Sequence, residues 1–300
     1  MKKELGYIGL GKMGYNMVAR LREKGYAVLA FDLSEQARNE VQKLGAQTFS
    51  SLETLLAALP APRIIWLMVP YEHVDNALSG IVPYLSSGDI VIDGGNSHYK
   101  DSMRRAEEFT AQGFRFLDVG VSGGPTGARN GACLMIGGER ADYLHLEMLF
   151  KDLVGKNKYA LVGRHGSGHF AKMVHNGVEY AEMEAIAEGF EILKKNKAGF
   201  DFDLEQIADL FNHGSVIESR LMGWLKEAFE EFGEDMEDVS GSVGRSGEGD
   251  WAVDVAKEFG IPAPALMSAL HVRKKSVEKP TYAGKLLSAM RNRFGGHSIK

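Results

Sequence analysis

Short apolar runs alternate with amphipathic segments along the first 163 residues of the chain. This alternation is typical of a parallel sheet covered by helices. Most of the runs are followed by glycine, proline or a polar turn, which is where strands are expected to end. The predicted strands are Leu5–Ile8, Ala27–Phe31, Ile64–Val69, Ile90–Ile92 and Phe116–Val119. The fold class predicted here is α/β, with an N-terminal doubly wound parallel sheet.

The pattern changes after Gly163. From Gly166 to about Lys195 apolar residues occur on nearly every face without a proline, which predicts a long, largely buried helix. Further helices are predicted near 203–212, 216–232, 250–259, 263–277 and 281–293, with Asp203 as an N-cap and Pro264 in a first turn. We therefore expect an α/β domain over 1–163 and an all-α domain over 164–300.

The composition argues against two classes of partner, membranes and nucleic acids. The 300 residues are 44% hydrophobic, yet no apolar run approaches the roughly 20 residues that span a bilayer, so we expect no membrane anchor. A net charge of −5 argues against a nucleic-acid partner. The single cysteine, Cys133, excludes an intrachain disulfide framework and favours a reducing, cytoplasmic location.

Charge is unevenly distributed along the chain. Residues 271–300 contain eight Lys or Arg against one Glu. A basic end on an acidic protein can meet an anionic ligand, and a solvated helix face is the simpler alternative.

The first strand leads into a glycine-rich motif, and a helix is predicted from Tyr15 to Lys24. In this setting the glycines allow a tight turn, a close approach to pyrophosphate and close packing of helix on strand, as in a Rossmann-type dinucleotide site. Asp32 ends the second strand 21 residues after Gly11, and no arginine directly follows it. Its carboxylate would accept the ribose hydroxyls of NAD and repel the extra phosphate of NADP, so NAD is the predicted cofactor. The motif consists of Gly9, Leu10, Gly11, Lys12, Met13 and Gly14.

Three more turns follow predicted strands, where carboxyl ends face a ligand crevice. Val69-Pro70 and the segment ending in Asn96 would lie beside the dinucleotide. The segment Gly120 to Pro125 exposes successive backbone N–H groups beside the Ser122 hydroxyl, which suits a carboxylate. Each of these segments alone is also typical of an ordinary turn.

A polar stripe lies on the predicted long helix. Its members fall at i, i+3, i+4, i+7 and i+8 and so share one face. They include both a cation and an acid, which would be costly to bury without partners, so a solvent-lined cleft is one explanation. A structural Lys–Glu arrangement or an exposed face is the other. The stripe consists of Lys172, His175, Asn176, Glu179 and Tyr180.

These motifs together resemble the 6-phosphogluconate dehydrogenase (decarboxylating) family. The resemblance is carried by the glycine motif at 9–14, by 93–97, by 121–124, and above all by 168–180 and the tail 291–297. The chain length is similar to the short form of that family, and the glycine motifs are shared with the wider β-hydroxyacid dehydrogenase superfamily.

The resemblance implies oxidative decarboxylation of 6-phosphogluconate to ribulose 5-phosphate. Neutral Lys172 would accept the proton of the C3 hydroxyl during hydride transfer, which requires a pKa well below about 10.4. Protonated Lys172 would stabilise the oxyanion that develops as carbon dioxide leaves, and Glu179 would then protonate C1 of the resulting enediol. No metal is required in this scheme.

The resemblance also implies the ligand set. The carboxylate and hydroxyls of the substrate would be held by Asn96, Ser122, Gly123, Gly124, His175 and Asn176. The phosphate would be held by Tyr180 and Arg273, with Arg291 and His297 supplied by a neighbouring subunit of a homodimer or homotetramer. Ser246 and Glu248 depart from the family, which has lysine and threonine there. Arg245 could compensate for the lost lysine.

Two other hypotheses about the function stay open. A non-decarboxylating β-hydroxyacid dehydrogenase acting on a 3-hydroxyisobutyrate-like substrate would share Lys172 and Asn176 but would not need Glu179 as an acid. A non-catalytic dinucleotide-binding protein would need neither Lys172 nor Glu179.

Overall fold

The computed structural model describes residues 3–244 and 247–300. The chain divides into two compact units, Met1–Lys172 and Met173–Lys300, which are described separately.

The first unit is built on a twisted sheet in the order β3-β2-β1-β4-β5-β6-β7-β8 across the described residues. All neighbouring strands are parallel except β6 and β7, which are antiparallel. The strands are β1 (Glu4–Ile8), β2 (Ala27–Phe31), β3 (Gln47–Thr48), β4 (Ile64–Leu67), β5 (Ile90–Asp93), β6 (Arg115–Ser122), β7 (Cys133–Gly137) and β8 (Tyr159–Gly163).

Helices cover both faces of this sheet, because the central strands are apolar on both sides. The four residues of β4 are all buried, and separate apolar clusters lie around Trp66 on one face and Leu67 on the other. The helices that connect the strands are α1 (Lys12–Glu23), α2 (Glu35–Lys43), α3 (Leu52–Ala58), α4 (Val74–Ile81), α5 (Tyr99–Ala111), α6 (Gly124–Asn130) and α7 (Arg140–Val154).

A long helix, α8 (Ser167–Lys194), begins in the first unit and continues into the second. The predicted bounds of this helix, Gly166 to about Lys195, are confirmed to within one residue at each end. It is less buried than its composition indicates, because Val174, Val178 and Ile192 are exposed.

The second unit is helical. Its apolar core, which includes Met183, Phe229 and Met290, is formed by α8 and the later helices. Asp203 caps α9 by accepting a hydrogen bond from Gln206 N at 2.8 Å, as predicted. The later helices are α9 (Leu204–Phe211), α10 (Arg220–Phe232), α11 (Glu248–Glu258), α12 (Pro264–Lys275) and α13 (Tyr282–Gly295).

The predicted fold class is confirmed, but several elements differ from prediction. The strands β3, β7 and β8 were not predicted, and β7 and β8 extend the sheet beyond β6. The α10 helix begins at Arg220 instead of 216, because Ser219 caps it by accepting a hydrogen bond from Met222 N. Among the described residues, the helices lack the combination of length and apolar character that would span a bilayer.

The division between the two units falls within α8, nine residues after the predicted boundary at 163. The difference arises because the first turns of α8 pack on the sheet. A Cβ at Gly168 would lie 2.5 Å from the carbonyl oxygens of Asp118 and Met135.

Candidate active site

The glycine motif forms the turn between β1 and α1. Gly9 has φ +97, and a Cβ there would lie 2.3 Å from Met68 O, so only glycine fits. A Cβ at Gly14 would lie 2.0 Å from Gly9 O, so this glycine lets α1 pack closely on the turn. Gly11 has open space instead, and it is the N-cap of α1. Its surface can therefore receive a diphosphate at a helix N-terminus.

Asp32 is tied to this turn. Its carboxylate accepts hydrogen bonds from Leu10 N at 2.7 Å and from Ser34 N at 2.8 Å. Each oxygen thus has one backbone donor and keeps capacity for a ribose hydroxyl. The carboxylate shapes the loop and places a negative charge beside the glycine turn.

An arginine that sequence reasoning missed lies near Asp32. Arg38, on α2, donates from Nη1 to the carbonyl oxygens of Asp32 and Leu33, at 2.6 and 3.2 Å. The sequence offered no adjacent arginine, and only the first turn of α2 brings this one back to the loop.

A cavity of about 390 Å³ opens beside the glycine turn. It has the size and position of a site for part of a dinucleotide. It is lined by Leu10, Gly11, Lys12, Tyr15, Asn16, Ser34, Gln36, Ala37, Glu40 and Pro125.

Asp93, buried at the end of β5, organises the turn that carries Asn96. It accepts hydrogen bonds from Gly95 N at 3.1 Å and Ser97 Oγ at 2.7 Å, and it pairs with the buried Arg105 at 3.3 Å. A Cβ at Gly95 would lie 2.9 Å from Val69 O, so the turn at Asn96 adjoins the turn at Val69-Pro70. The structure therefore brings these two predicted segments together.

The predicted carboxylate-binding turn follows β6. Ser122 ends the strand, and Gly123 and Gly124 have φ of +124 and +61, a conformation that favours glycine. Pro125 then lies in the first turn of α6.

The start of α8 is fixed by Asp118, a buried residue on β6. Its carboxylate accepts hydrogen bonds from Gly166 N at 2.6 Å and His169 N at 2.9 Å. It thereby satisfies backbone donors that a helix leaves unpaired at its N-terminus. His169 also lies 2.7 Å from Ser102 Oγ through its Nδ1. The sequence motif gave no signal of this cap.

Lys172 lies one turn further along α8. A Cβ at Gly120 would lie 2.4 Å from Lys172 Cβ, so the missing side chain of Gly120 makes room for the lysine stem. Lys172 is half-buried. Its position therefore depends on β6 through both Asp118 and Gly120.

Other members of the polar stripe lie on α8 within the second unit. His175 Nδ1 is 3.1 Å from Asn176 Oδ1 and 3.8 Å from Glu179 Oε2. Asn176 is buried, while His175 and Glu179 are half-buried. The structure thus brings these three predicted residues together on one stretch of helix.

Tyr180 joins the stripe to α12. The Arg273 guanidinium lies over its ring, with Cζ 3.5 Å from the centroid. A Cβ at Gly249 would lie 2.4 Å from the ring, so α11 closes against the tyrosine. Arg273 is only 1% exposed, and its guanidinium nitrogens have no hydrogen-bond partner in the described part of the chain. A buried cation whose N–H groups have no acceptor among the described residues is a candidate anion site.

Arg291, on α13, is buried in this same unit. Burial lowers the pKa of its guanidinium, and the positive charge of Arg273 lowers it further, while Tyr180, Glu179 and Glu248 oppose the shift. The resemblance implied that Arg291 reaches the site of a neighbouring subunit. That assignment stays a prediction. Within its own chain Arg291 lies close enough to Arg273 for the two charges to affect each other, because α13 packs into the core of the unit.

The remaining predicted residues are less enclosed. His297 is exposed just after α13 and lies against Phe294 at 6.2 Å between ring centroids. Glu248 is the first residue of α11. Arg245 and Ser246, at the departure from the family, lie outside the described residues.

The fold and the site define a class: a Rossmann-type dinucleotide-binding protein with a helical second domain. Residues 4–163 match the family model for the NAD binding domain of 6-phosphogluconate dehydrogenase, and 168–281 match the model for its C-terminal domain. The chain belongs to the 6-phosphogluconate dehydrogenase family.

Known relatives agree with this assignment. The chain is 41% identical over 298 residues to a protein of Haloferax volcanii named NAD(+)-dependent, decarboxylating 6-phosphogluconate dehydrogenase, covering 99% of this chain and 98% of that one. A solved 6-phosphogluconate dehydrogenase of Plasmodium falciparum superposes with a TM-score of 0.82 at 29% identity, covering 92% of this chain and 62% of that one. A 3-hydroxyisobutyrate dehydrogenase of Mycobacterium tuberculosis has a TM-score of 0.75 at 20% identity over 97% of this chain and 100% of that one, a likeness of fold alone.

Asp32→Ala should weaken NAD binding roughly tenfold or more, because hydrogen bonds to a charged group are lost. It should also narrow the advantage of NAD over NADP, since the repelling charge is gone and Arg38 lies close by. Dissociation constants for both dinucleotides, measured by fluorescence titration, check this. Asp32→Asn is the matched control, because it removes the charge while keeping an oxygen for Leu10 N. An unchanged preference in both variants would show that selectivity lies elsewhere.

Proposed function

We propose that this protein catalyses the oxidative decarboxylation of 6-phosphogluconate to ribulose 5-phosphate and carbon dioxide with NAD as the hydride acceptor. The observation that carries the proposal is the pairing of a lysine and a glutamate, Lys172 and Glu179, about two turns apart on one continuous helix. The name of the Haloferax volcanii relative supports both the reaction and the cofactor.

The first step needs a base beside the C3 hydroxyl. When bound, NAD would accept the hydride that leaves C3. Neutral Lys172 takes the hydroxyl proton as the ketone forms. Gly120 and the Asp118 cap keep the lysine stem against β6, so that little ordering remains to be done when the substrate arrives.

The second step releases carbon dioxide from the β-keto acid. The ammonium of Lys172, now protonated, stabilises the oxyanion that develops at C3 as the carboxylate leaves. Glu179 then delivers a proton to C1 of the enediol as a general acid.

Two sets of groups would orient the substrate. Its carboxylate and hydroxyls would be held by Asn96, Ser122, Gly123, Gly124, His175 and Asn176. Its phosphate would be held by Tyr180, Arg273 and Arg291, which supply two cations and a buried hydroxyl that has no partner in the described residues.

A homo-oligomer is part of the proposal. A groove of about 630 Å³ on the second unit, lined by apolar residues such as Ile186, Ile192, Val216 and Ile217, offers a surface for a second copy. The exposed His297 could then reach a neighbouring site, as the resemblance implies. A cytoplasmic location also stays a prediction.

Incubation of the protein with NAD and 6-phosphogluconate should yield NADH and carbon dioxide in equal amounts. The absorbance of NADH and the release of labelled carbon dioxide measure the two products. NADH without gas would favour a non-decarboxylating β-hydroxyacid dehydrogenase, and the absence of both products would contradict the proposal.

Lys172→Met should reduce kcat about a thousandfold, because the base for the hydroxyl proton is lost. NAD binding should change little, since the cofactor loop lies on β1 and α1. Stopped-flow measurement of NADH together with NAD titration checks both expectations. Turnover at the wild-type rate would remove Lys172 from the mechanism.

Subunit mixing tests whether Arg291 serves its own chain. Oligomers assembled from Lys172→Met and Arg291→Ala chains should stay inactive, because each chain would then contain one damaged site. Differently tagged chains verify that mixed oligomers form. Recovery of activity in the mixture would mean that Arg291 completes the site of a neighbour.

A further inference from the structure

A third buried group lies beside the proposed phosphate site. Glu184, on α8, is 5% exposed, and neither of its carboxylate oxygens has a hydrogen-bond partner among the described residues. It follows Tyr180 by four positions, which places it one turn along the same face of the helix. Arg273, stacked on Tyr180, is close enough to lower the pKa of the Glu184 carboxyl.

Arg273 and Glu184 are thus opposite charges that do not pair. Neither group hydrogen-bonds to the other, although both are buried. An arginine cannot lose its proton in a protein, so its buried charge is stabilised only when an anion lies beside it. The anion can be an incoming phosphate group or the carboxylate of Glu184.

We propose that Glu184 competes with the phosphate group of the substrate for Arg273, so that phosphate binding weakens as Glu184 loses its proton. This inference rests on the proposed function, since it needs a phosphorylated substrate at Arg273. Protonated Glu184 leaves the full charge of Arg273 to the phosphate. Ionised Glu184 offsets that charge and repels the phosphate as well.

The pKa of the Glu184 carboxyl places this competition within the physiological pH range. Burial raises the pKa of its carboxyl to about 7; the charges of Glu188 and Glu191 add to the increase, and Arg273 opposes it. Arg291, on α13, is another charged group close to Arg273. Raising the pH through 7 therefore ionises Glu184 and should lower the affinity for phosphate.

The test compares the binding of 6-phosphogluconate to three forms of the full chain: wild type, Glu184→Gln and Glu182→Gln. Glu182 is exposed on the same helix, so its variant removes the same charge away from Arg273. Titration calorimetry without NAD gives dissociation constants between about pH 5.5 and about pH 8.5, on either side of the Glu184 pKa. The titration of the substrate phosphate affects all forms alike and cancels in the ratios.

The ratio of the wild-type constant to that of Glu184→Gln should be near one at the acid end. It should rise to roughly tenfold at the alkaline end, which is the value for a one-unit increase in the Glu184 pKa on phosphate binding. The ratio for Glu182→Gln should not change with pH. Wild-type chains should also take up protons on binding near neutral pH, and Glu184→Gln chains should take up fewer.

A ratio that does not vary with pH would overturn the inference and leave the proposed function standing. Binding with the expected ratio but without NADH formation would overturn the proposed function and leave the inference standing. Absence of binding at every pH would overturn both.

Discussion

The position of the candidate catalytic lysine depends on one contact between a strand and a helix. Asp118 on β6 holds the first turn of α8 through two backbone N–H groups, and Gly168 lets the helix lie against the backbone of β6 and β7. A buried carboxylate with two backbone donors is strongly constrained, since moving the helix would leave its charge without hydrogen bonds. Lys172 lies one turn later on the same helix, so its position is constrained as well.

Charge is arranged differently in the second unit. Two arginines and a glutamate are buried there, and Arg273 and Glu184 lack hydrogen-bond partners among the described residues. Such an arrangement is costly to the fold and is typical of a binding site, where a ligand completes the interactions. In the first unit, both carboxylate oxygens of the buried Asp93 and of the buried Asp118 accept hydrogen bonds, which suits a frame that positions ligands.

Local motifs were readable from the sequence, and long-range partners were not. The separate roles of Gly9, Gly11 and Gly14 follow from a turn between adjacent elements, so their spacing was sufficient to predict them. Asp118 acts on residues 48 and 51 positions later, and periodicity carries no information about such a pairing. The strands β7 and β8 were missed for a related reason: their pairing with the sheet is tertiary, and each is only five residues long and ends at a glycine. The resemblance supplied Arg273 and Arg291, but the burial of Arg291 close to Arg273 arises from the packing of α12 and α13, which no local motif encodes.

The most direct test of this account is the activity of Gly168→Ala beside that of Gly189→Ala, two identical changes on α8. A Cβ at Gly168 would meet backbone atoms at 2.5 Å, whereas a Cβ at Gly189 would meet nothing within 4 Å. We expect kcat/KM for NAD-dependent oxidation of 6-phosphogluconate to fall about a hundredfold in Gly168→Ala, since small displacements of a catalytic group have effects of that size. NAD affinity should be kept in Gly168→Ala, and Gly189→Ala should match the wild type. Full activity in Gly168→Ala would contradict the claim that the contact between β6 and α8 sets the position of Lys172.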